Sequence, residues 1–148
     1  MKGMEMKLRV KRLCEEAKIP GYAHEGDSGM DLYSVEDLTL APGERKLVRT
    51  GLQIALPRGF EAQVRPKSGL AANFGVTVLN TPGTIDSGYR GEIMAIMVNL
   101  GSQPYRVEKG KKIAQMVIAK VEEAKVEEVD SLDETARKGN GFGSTGLG

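Results

Sequence analysis

The chain has 148 residues and a formal net charge of +1, enough for one domain with a real core and short for two. The balanced charge supplies no broad basic or acidic field, so bulk binding to nucleic acid or to a membrane surface is unsupported. One cysteine, Cys14, leaves no intrachain disulfide and fits a reducing cytoplasm.

Met6, Leu8 and Val10 alternate with Lys7, Arg9 and Lys11, which predicts a half-buried strand. The cations here and at Lys2 and Arg12 precede no apolar segment, so the N-terminus does not read as a signal peptide. No apolar run approaches the roughly 20 residues that span a bilayer. Residues 21–31 read as a loop leading into a strand at Met30-Asp31-Leu32-Tyr33. Ala41-Pro42-Gly43-Glu44 and Pro57-Arg58-Gly59 are turns around an alternating strand from Val48 to Leu56, and Phe60, Ala62 and Val64 mark another strand. Ser68 to Asn73 is the best helix candidate, with Ser68 as cap and Gly75 as stop.

Two runs, Ile93 to Leu100 and Ile113 to Ala119, are apolar on both faces and predict strands buried on both sides. Between them Gly101-Ser102-Gln103-Pro104 and Glu108-Lys109-Gly110-Lys111 turn the chain around a short strand at Tyr105 and Val107. Val121 to Val129 fits strand or short helix, and the Gly-rich stretch from Arg137 shows no core pattern. Short strands with turn signals every few residues predict an all-β sandwich or barrel. The surplus of doubly apolar strand predicts burial against further copies of the chain.

Three stretches could carry chemistry. Asn80-Thr81-Pro82-Gly83-Thr84-Ile85-Asp86-Ser87-Gly88-Tyr89-Arg90-Gly91-Glu92 reads as a hairpin turn holding an acid, a phenol and a guanidinium. Such a turn can grip a small polar ring and set a base beside it. Arg65-Pro66-Lys67-Ser68-Gly69 joins a cation, a hydroxyl and free amides at a helix start, a plausible anion site as much as an ordinary helix entry. Residues 137–146 offer cations, mobile amides and two hydroxyls without the spacing of a Walker A loop. Phe142 has no local core to join there, and its ring is free to stack on a planar ligand. His24, Glu25, Asp27 and Asp31 match no zinc or calcium pattern, and one His with one Cys leaves no nucleophilic triad.

Five stretches in order resemble the motifs of the trimeric dUTPase family: Ser28-Gly29-Met30-Asp31-Leu32-Tyr33-Ser34, Arg65-Pro66-Lys67-Ser68-Gly69-Leu70-Ala71, the turn from Asn80 to Glu92, Gly110-Lys111-Lys112-Ile113-Ala114-Gln115-Met116, and the tail from Arg137 to Gly146. The resemblance implies a β-clip or jelly-roll-like barrel with one short helix, assembled as a homotrimer. It implies a barrel domain over 1–136 and a flexible Gly-rich lid over 137–148. The implied activity is Mg²⁺-dependent hydrolysis of dUTP to dUMP and pyrophosphate, which supplies dUMP for thymidine nucleotides and keeps uracil out of DNA.

By the same resemblance, Asp86 is the base for a water that attacks the α-phosphorus, and Tyr89 packs under the deoxyribose and excludes a 2′-hydroxyl. Asn80 and the backbone of Thr84, Ile85 and Asp86 hold uracil and sugar, with Met94 as a further backbone contact. Lys67, Ser68, Gly69 and Gln115 bind phosphates, and Asp31 reaches Mg²⁺ through water. From a neighbour's tail, Phe142 stacks on uracil beside Gly143, while Arg137, Ser144 and Thr145 close on the γ-phosphate. Lys67 stands where the family usually has Arg, and Lys138 and Asn140 where glycines are common. A dCTP deaminase, alone or bifunctional, is the enzymatic alternative. It is disfavoured because Ile96 stands where deaminases carry a glutamate and Tyr89 where they usually have Phe. A non-catalytic nucleotide-binding module on the same fold is the other.

Overall fold

The computed structural model describes residues 5–146. In chain order the elements are β1 (Arg9–Arg12), β2 (Gly29–Tyr33), β3 (Leu38–Leu40), β4 (Arg45–Ala55), β5 (Phe60–Arg65), α1 (Ser68–Phe74), β6 (Val76–Val78), β7 (Gly83–Ile85), β8 (Ile93–Asn99), β9 (Tyr105–Val107) and β10 (Lys112–Lys120). Two four-stranded sheets, ordered β1-β4-β8-β6 and β2-β10-β5-β7, share one apolar core, and β3 pairs with β9. The fold is the expected all-β, jelly-roll-like one with a single short helix. Alternation builds the core: Met30 and Leu32 from β2, Ala62 and Val64 from β5, and Ile93, Ala95 and Met97 from β8 are all buried.

Turn residues act where their chemistry predicts. Gly43, Gly59 and Gly110 all have positive φ at the expected turns. Gly75 ends α1 in the left-handed conformation, at φ 69° and ψ 19°.

Four expectations change. Ser68 is the first helical residue rather than the cap; extended Lys67 takes the cap position and makes no side-chain capping bond. The doubly apolar strands are not buried on both faces throughout. Met94 and Ile96 of β8 and Val117 and Ala119 of β10 stay half-exposed, because one face of each points away from this chain's core. Residues 121–129 are neither strand nor helix; apart from the Val121 amide on the Gly59 carbonyl and the Arg58–Glu123 pair they run exposed, with Val126 92% accessible, because no described strand pairs with them. The supposed hairpin is a bridge between sheets. β6 pairs directly with β8, Val78 opposite Met97, while the intervening chain adds β7 to the edge of the other sheet beside β5. Gly83 and Ile85 are buried and Thr84 exposed, a strand pattern hidden in the sequence among turn residues.

Candidate active site

The bridge between the sheets ends in a tight bend. The Tyr89 amide donates to the Asp86 carbonyl at 3.1 Å, and the Arg90 guanidinium donates to the Ser87 and Tyr89 carbonyls at 2.7 and 3.0 Å. Arg90 is thereby spent on closing the bend. Tyr89 lies against Gly91: a Cβ added there would stand 2.3 Å from the Tyr89 hydroxyl oxygen. The hydroxyl donates to the Glu92 carbonyl at 3.1 Å, so the hydroxyl end of the ring is seated.

A β-bulge in β4 anchors the exit of the bend. Register shifts between Arg49 and Leu52, around Gly51 at φ 70°. The Gly51 amide and the Arg49 guanidinium both donate to the Glu92 carboxylate, at 3.0 Å and 3.1–3.2 Å. The neighbouring Thr50 hydroxyl donates to the Ile93 carbonyl at 2.5 Å.

This scaffold forms a cleft of about 270 Å³ lined by Leu47, Thr84, Ile85, Asp86, Tyr89, Glu92, Ile93, Met94 and Ile96. It has two acids with opposite circumstances. Glu92 is committed to Arg49 and Gly51, whereas the exposed Asp86 carboxylate accepts no hydrogen bond or ion pair from the described residues. A free carboxylate beside an apolar wall and a seated ring is suited to holding water against a ligand.

A second, polar cleft of about 410 Å³ is lined by Ala23, His24, Asp27, Ser28, Gly29, Asp31, Lys67, Lys112 and Gln115. Asp31 is its hub: Lys67 Nζ is 2.5 Å from Oδ1, and Lys112 Nζ is 3.2 Å from Oδ2. Burial alone would raise the Asp31 carboxyl, but the hydrogen bonds and charges of Lys67 and Lys112 outweigh it and hold it below its ordinary value. The same pairing raises Lys112. Gln115 donates to the Pro66 carbonyl at 3.0 Å. Its Oε1 occupies the space above Gly29, where a Cβ would come within 2.3 Å. Asp27 accepts from the His24 amide at 2.8 Å.

The structure thus gathers the expected residues into two groups. Thr84, Ile85, Asp86, Tyr89 and Met94 line the first cleft, and Asp31, Lys67 and Gln115 the second. Asn80, Ser68 and Gly69 are exposed and line neither. Residues 137–146 line neither cleft. Arg137 donates to the Asn140 carbonyl at 2.8 Å, Ser144 N–H to the Gly141 carbonyl at 3.1 Å, and Phe142, beside Gly143 and Thr145, is fully exposed. Leu147 and Gly148, the end of the expected lid, lie outside the described residues.

Lys112 is the lining residue that alternation hides. Counting by twos from buried Ala114 and Met116 points it inward, but a bulge between Lys112 and Ala114 turns it to the outer face with Gln115. Ile93 was legible only as an apolar strand residue, Ile96 only as an apolar residue where deaminases carry a glutamate, and Leu47 lay outside the strand expected from Val48.

Comparison with known proteins follows the geometry. The family model described as dUTPase matches residues 15–146. The deoxyuridine 5′-triphosphate nucleotidohydrolase of Clostridium novyi (strain NT) is 63% identical over 96% of this chain and all of its own length. That of Trichodesmium erythraeum (strain IMS101) is 58% identical over 95% of this chain and 99% of its own. Among solved structures, the Staphylococcus bacteriophage 80alpha dUTPase with dUPNHPP superposes with a TM-score of 0.89 at 26% identity, covering 95% of this chain and 99% of that one. The match of fold, length and sequence places this chain in the dUTPase family.

Proposed function

We propose that this protein hydrolyses dUTP to dUMP and pyrophosphate in sites built jointly by three copies of the chain. The observation that carries this reading is the bend: one free carboxylate, Asp86, beside a seated aromatic ring, Tyr89, over an apolar floor. Asp86 accepts a proton from water, the water oxygen bonds to the α-phosphorus, and the bond to the bridging oxygen breaks, releasing pyrophosphate. Tyr89 packs on the deoxyribose where a 2′-hydroxyl would clash. Backbone groups of Thr84, Ile85 and Asp86, with Asn80 and Met94, hold base and sugar. Lys67, Ser68, Gly69 and Gln115 hold the phosphates. At seven residues α1 is too short for its dipole to matter much, so Lys67 supplies the charge.

Shared sites follow from the distance between the two clefts. Asp31 lies on β2 and Thr84 on β7, opposite edges of one sheet and three strand spacings apart, or about 14 Å. Ile85 sits level with Ala62, while Asp31 and Gln115 sit level with Arg65, three residues or about 10 Å further along. That separation of the base-side and phosphate-side residues supports a site in which the second cleft comes from another copy. A third copy supplies its lid: Phe142 and Gly143 over the uracil, and Arg137, Ser144 and Thr145 over the γ-phosphate. The division into a body over 1–136 and a lid over 137–148 is part of this reading, supported by the fully exposed Phe142. Half-exposed Ile96 and exposed Leu47 and Leu79 give the copies apolar surface to bury.

Magnesium fits as a partner of the substrate. Among the described residues no group of three or more His, Cys, Asp or Glu could hold a metal. In the polar cleft the ammonium groups of Lys67 and Lys112 merely balance the carboxylates of Asp27 and Asp31. Before substrate binds both Asp31 oxygens hold lysines, and with the substrate present Asp31 would meet the ion through water. Mg²⁺ would be held mainly by phosphate oxygens and water, and when bound it offsets triphosphate charge that the cleft leaves uncompensated. We place the enzyme in the cytoplasm, in keeping with the free Cys14; no helix among the described residues is long and apolar enough to cross a membrane.

Deamination finds no support. Ile96 lines the cleft as an apolar wall, and the second acid there, Glu92, is already bound. The test is Mg²⁺-dependent pyrophosphate release measured across dUTP, UTP, dTTP and dCTP. Release from dUTP far above the other three is expected. Ammonia from dCTP, or no release from dUTP, would overturn the reading.

A further inference from the structure

We propose that Lys112 is a second phosphate-binding cation of the polar cleft, and that Asp31 is the positioning residue that holds Lys112 and Lys67 side by side until phosphate displaces it. The proposal deepens the dUTP reading above and rests on it for the identity of the substrate.

Two observations converge. First, β10 is otherwise an apolar strand, yet it bulges between Lys112 and Ala114. The bulge buries Ile113 and Ala114 together and turns Lys112 outward, onto the face that carries Gln115 and Asp31. Bulges next to binding sites re-aim a side chain in this way. Second, one carboxylate serves two amines, with Lys67 on Oδ1 and Lys112 on Oδ2. An ammonium has three donors, and among the described residues neither lysine has another acceptor. The remaining donors face the cleft that Gln115 also lines.

Two ammonium groups on one carboxylate stand close enough for two neighbouring phosphate groups. As point charges on flexible stems, lysines can swing from Asp31 to a ligand where a bidentate guanidinium would be harder to release. The competing role for Lys112 is structural: neutralising Asp31 and nothing more. The two roles separate on ligand affinity.

The experiment titrates inorganic pyrophosphate into the full-length protein without Mg²⁺, by calorimetry, for the wild type, Lys112→Met, Lys112→Arg and Asp31→Asn. Steady-state kinetics on dUTP with Mg²⁺ accompany it. Lys112→Met is expected to weaken pyrophosphate binding roughly tenfold and to raise KM more than it lowers kcat. Lys112→Arg should recover most of both. The product dUMP, with one phosphate, should lose less affinity than pyrophosphate. Asp31→Asn should tighten pyrophosphate binding in the absence of Mg²⁺, because both amines are released.

Unchanged pyrophosphate affinity in Lys112→Met, with only a lowered Tm, would make the residue structural and overturn the proposal. So would a wild type that binds no pyrophosphate without Mg²⁺. Weaker binding in Asp31→Asn would remove the positioning role. Lys112→Gln replaces Lys112→Met if the latter does not fold. A failure of dUTP turnover would sink the functional reading separately, since Lys112-dependent pyrophosphate binding is measured without it.

Discussion

Asp31 and Asp86 are the same residue type on two clefts of one chain, and the fold treats them in opposite ways. Asp31 is a largely buried hub with a lysine on each oxygen. Asp86 sits on an exposed bend with neither oxygen engaged by the described residues. The supports differ in kind as well. The Asp86 bend is fixed by backbone bonds, a ring over a glycine, a strand bulge and the Arg49–Glu92 pair, none of which uses the Asp86 side chain, while the Asp31 cleft is held through the Asp31 carboxylate itself. The contrast teaches that a carboxylate free to do chemistry needs a scaffold built from other groups. A carboxylate that is itself the scaffold is not free to act as a base.

The contrast breaks most sharply at Asp86. Asp86→Asn keeps the size and loses the base, and kcat on dUTP should fall roughly 10²–10⁴-fold with dUTP affinity near the wild-type value. Turnover near wild type would remove Asp86 from the base role. Truncation after Arg137 tests whether the bend works without the lid. We expect kcat/KM to drop on the order of 100-fold while thermal unfolding stays unchanged, since Phe142 is fully exposed and its neighbours are exposed or half-exposed.

Gly91→Ala probes the scaffold under the free acid. The new methyl would overlap the Tyr89 hydroxyl, so the ring must leave its seat. Discrimination of dUTP over UTP, measured as the ratio of kcat/KM, should shrink about tenfold, consistent with the loss of one steric contact. Stability should change little, because the ring is already 43% exposed.

The smallest effect belongs to the charge-built cleft and runs with pH. The Asp31 pKa is depressed in the folded state, so its contribution to stability is present above the ordinary carboxylate range. It is lost as pH falls through the lower, folded value. Partly exposed lysines keep that contribution to about 1 kcal/mol or less. Thermal melts between pH 7 and pH 3 should show a shallower acid decline for Asp31→Asn than for the wild type. Parallel curves would mean that the pairing carries no stability.

Much of this was legible in the residues alone. Local chemistry determines local form: glycines at 43, 59, 75 and 110 take positive φ, alternation at Phe60, Ala62 and Val64 makes a strand, and the helix starts and stops within a residue of its signals. Four of the five motif stretches hold Asp31, Lys67, Asp86, Tyr89 and Gln115, which line the two clefts, while the tail lines neither. Val121 to Val129 misled because its spacing suggests an element, yet a strand needs a neighbour and none of the described strands pairs with it.

The amino-acid order by itself determined which groups are available and where the chain turns, since both depend on residues within a few positions of each other. Only the tertiary structure decided that Lys112 faces outward, that residues 83–85 cross to the opposite sheet, and that Asp31 is tied while Asp86 is free. Those outcomes rest on bulges, strand registers and ion pairs between distant segments, whose cost and gain appear only when the sheets are assembled.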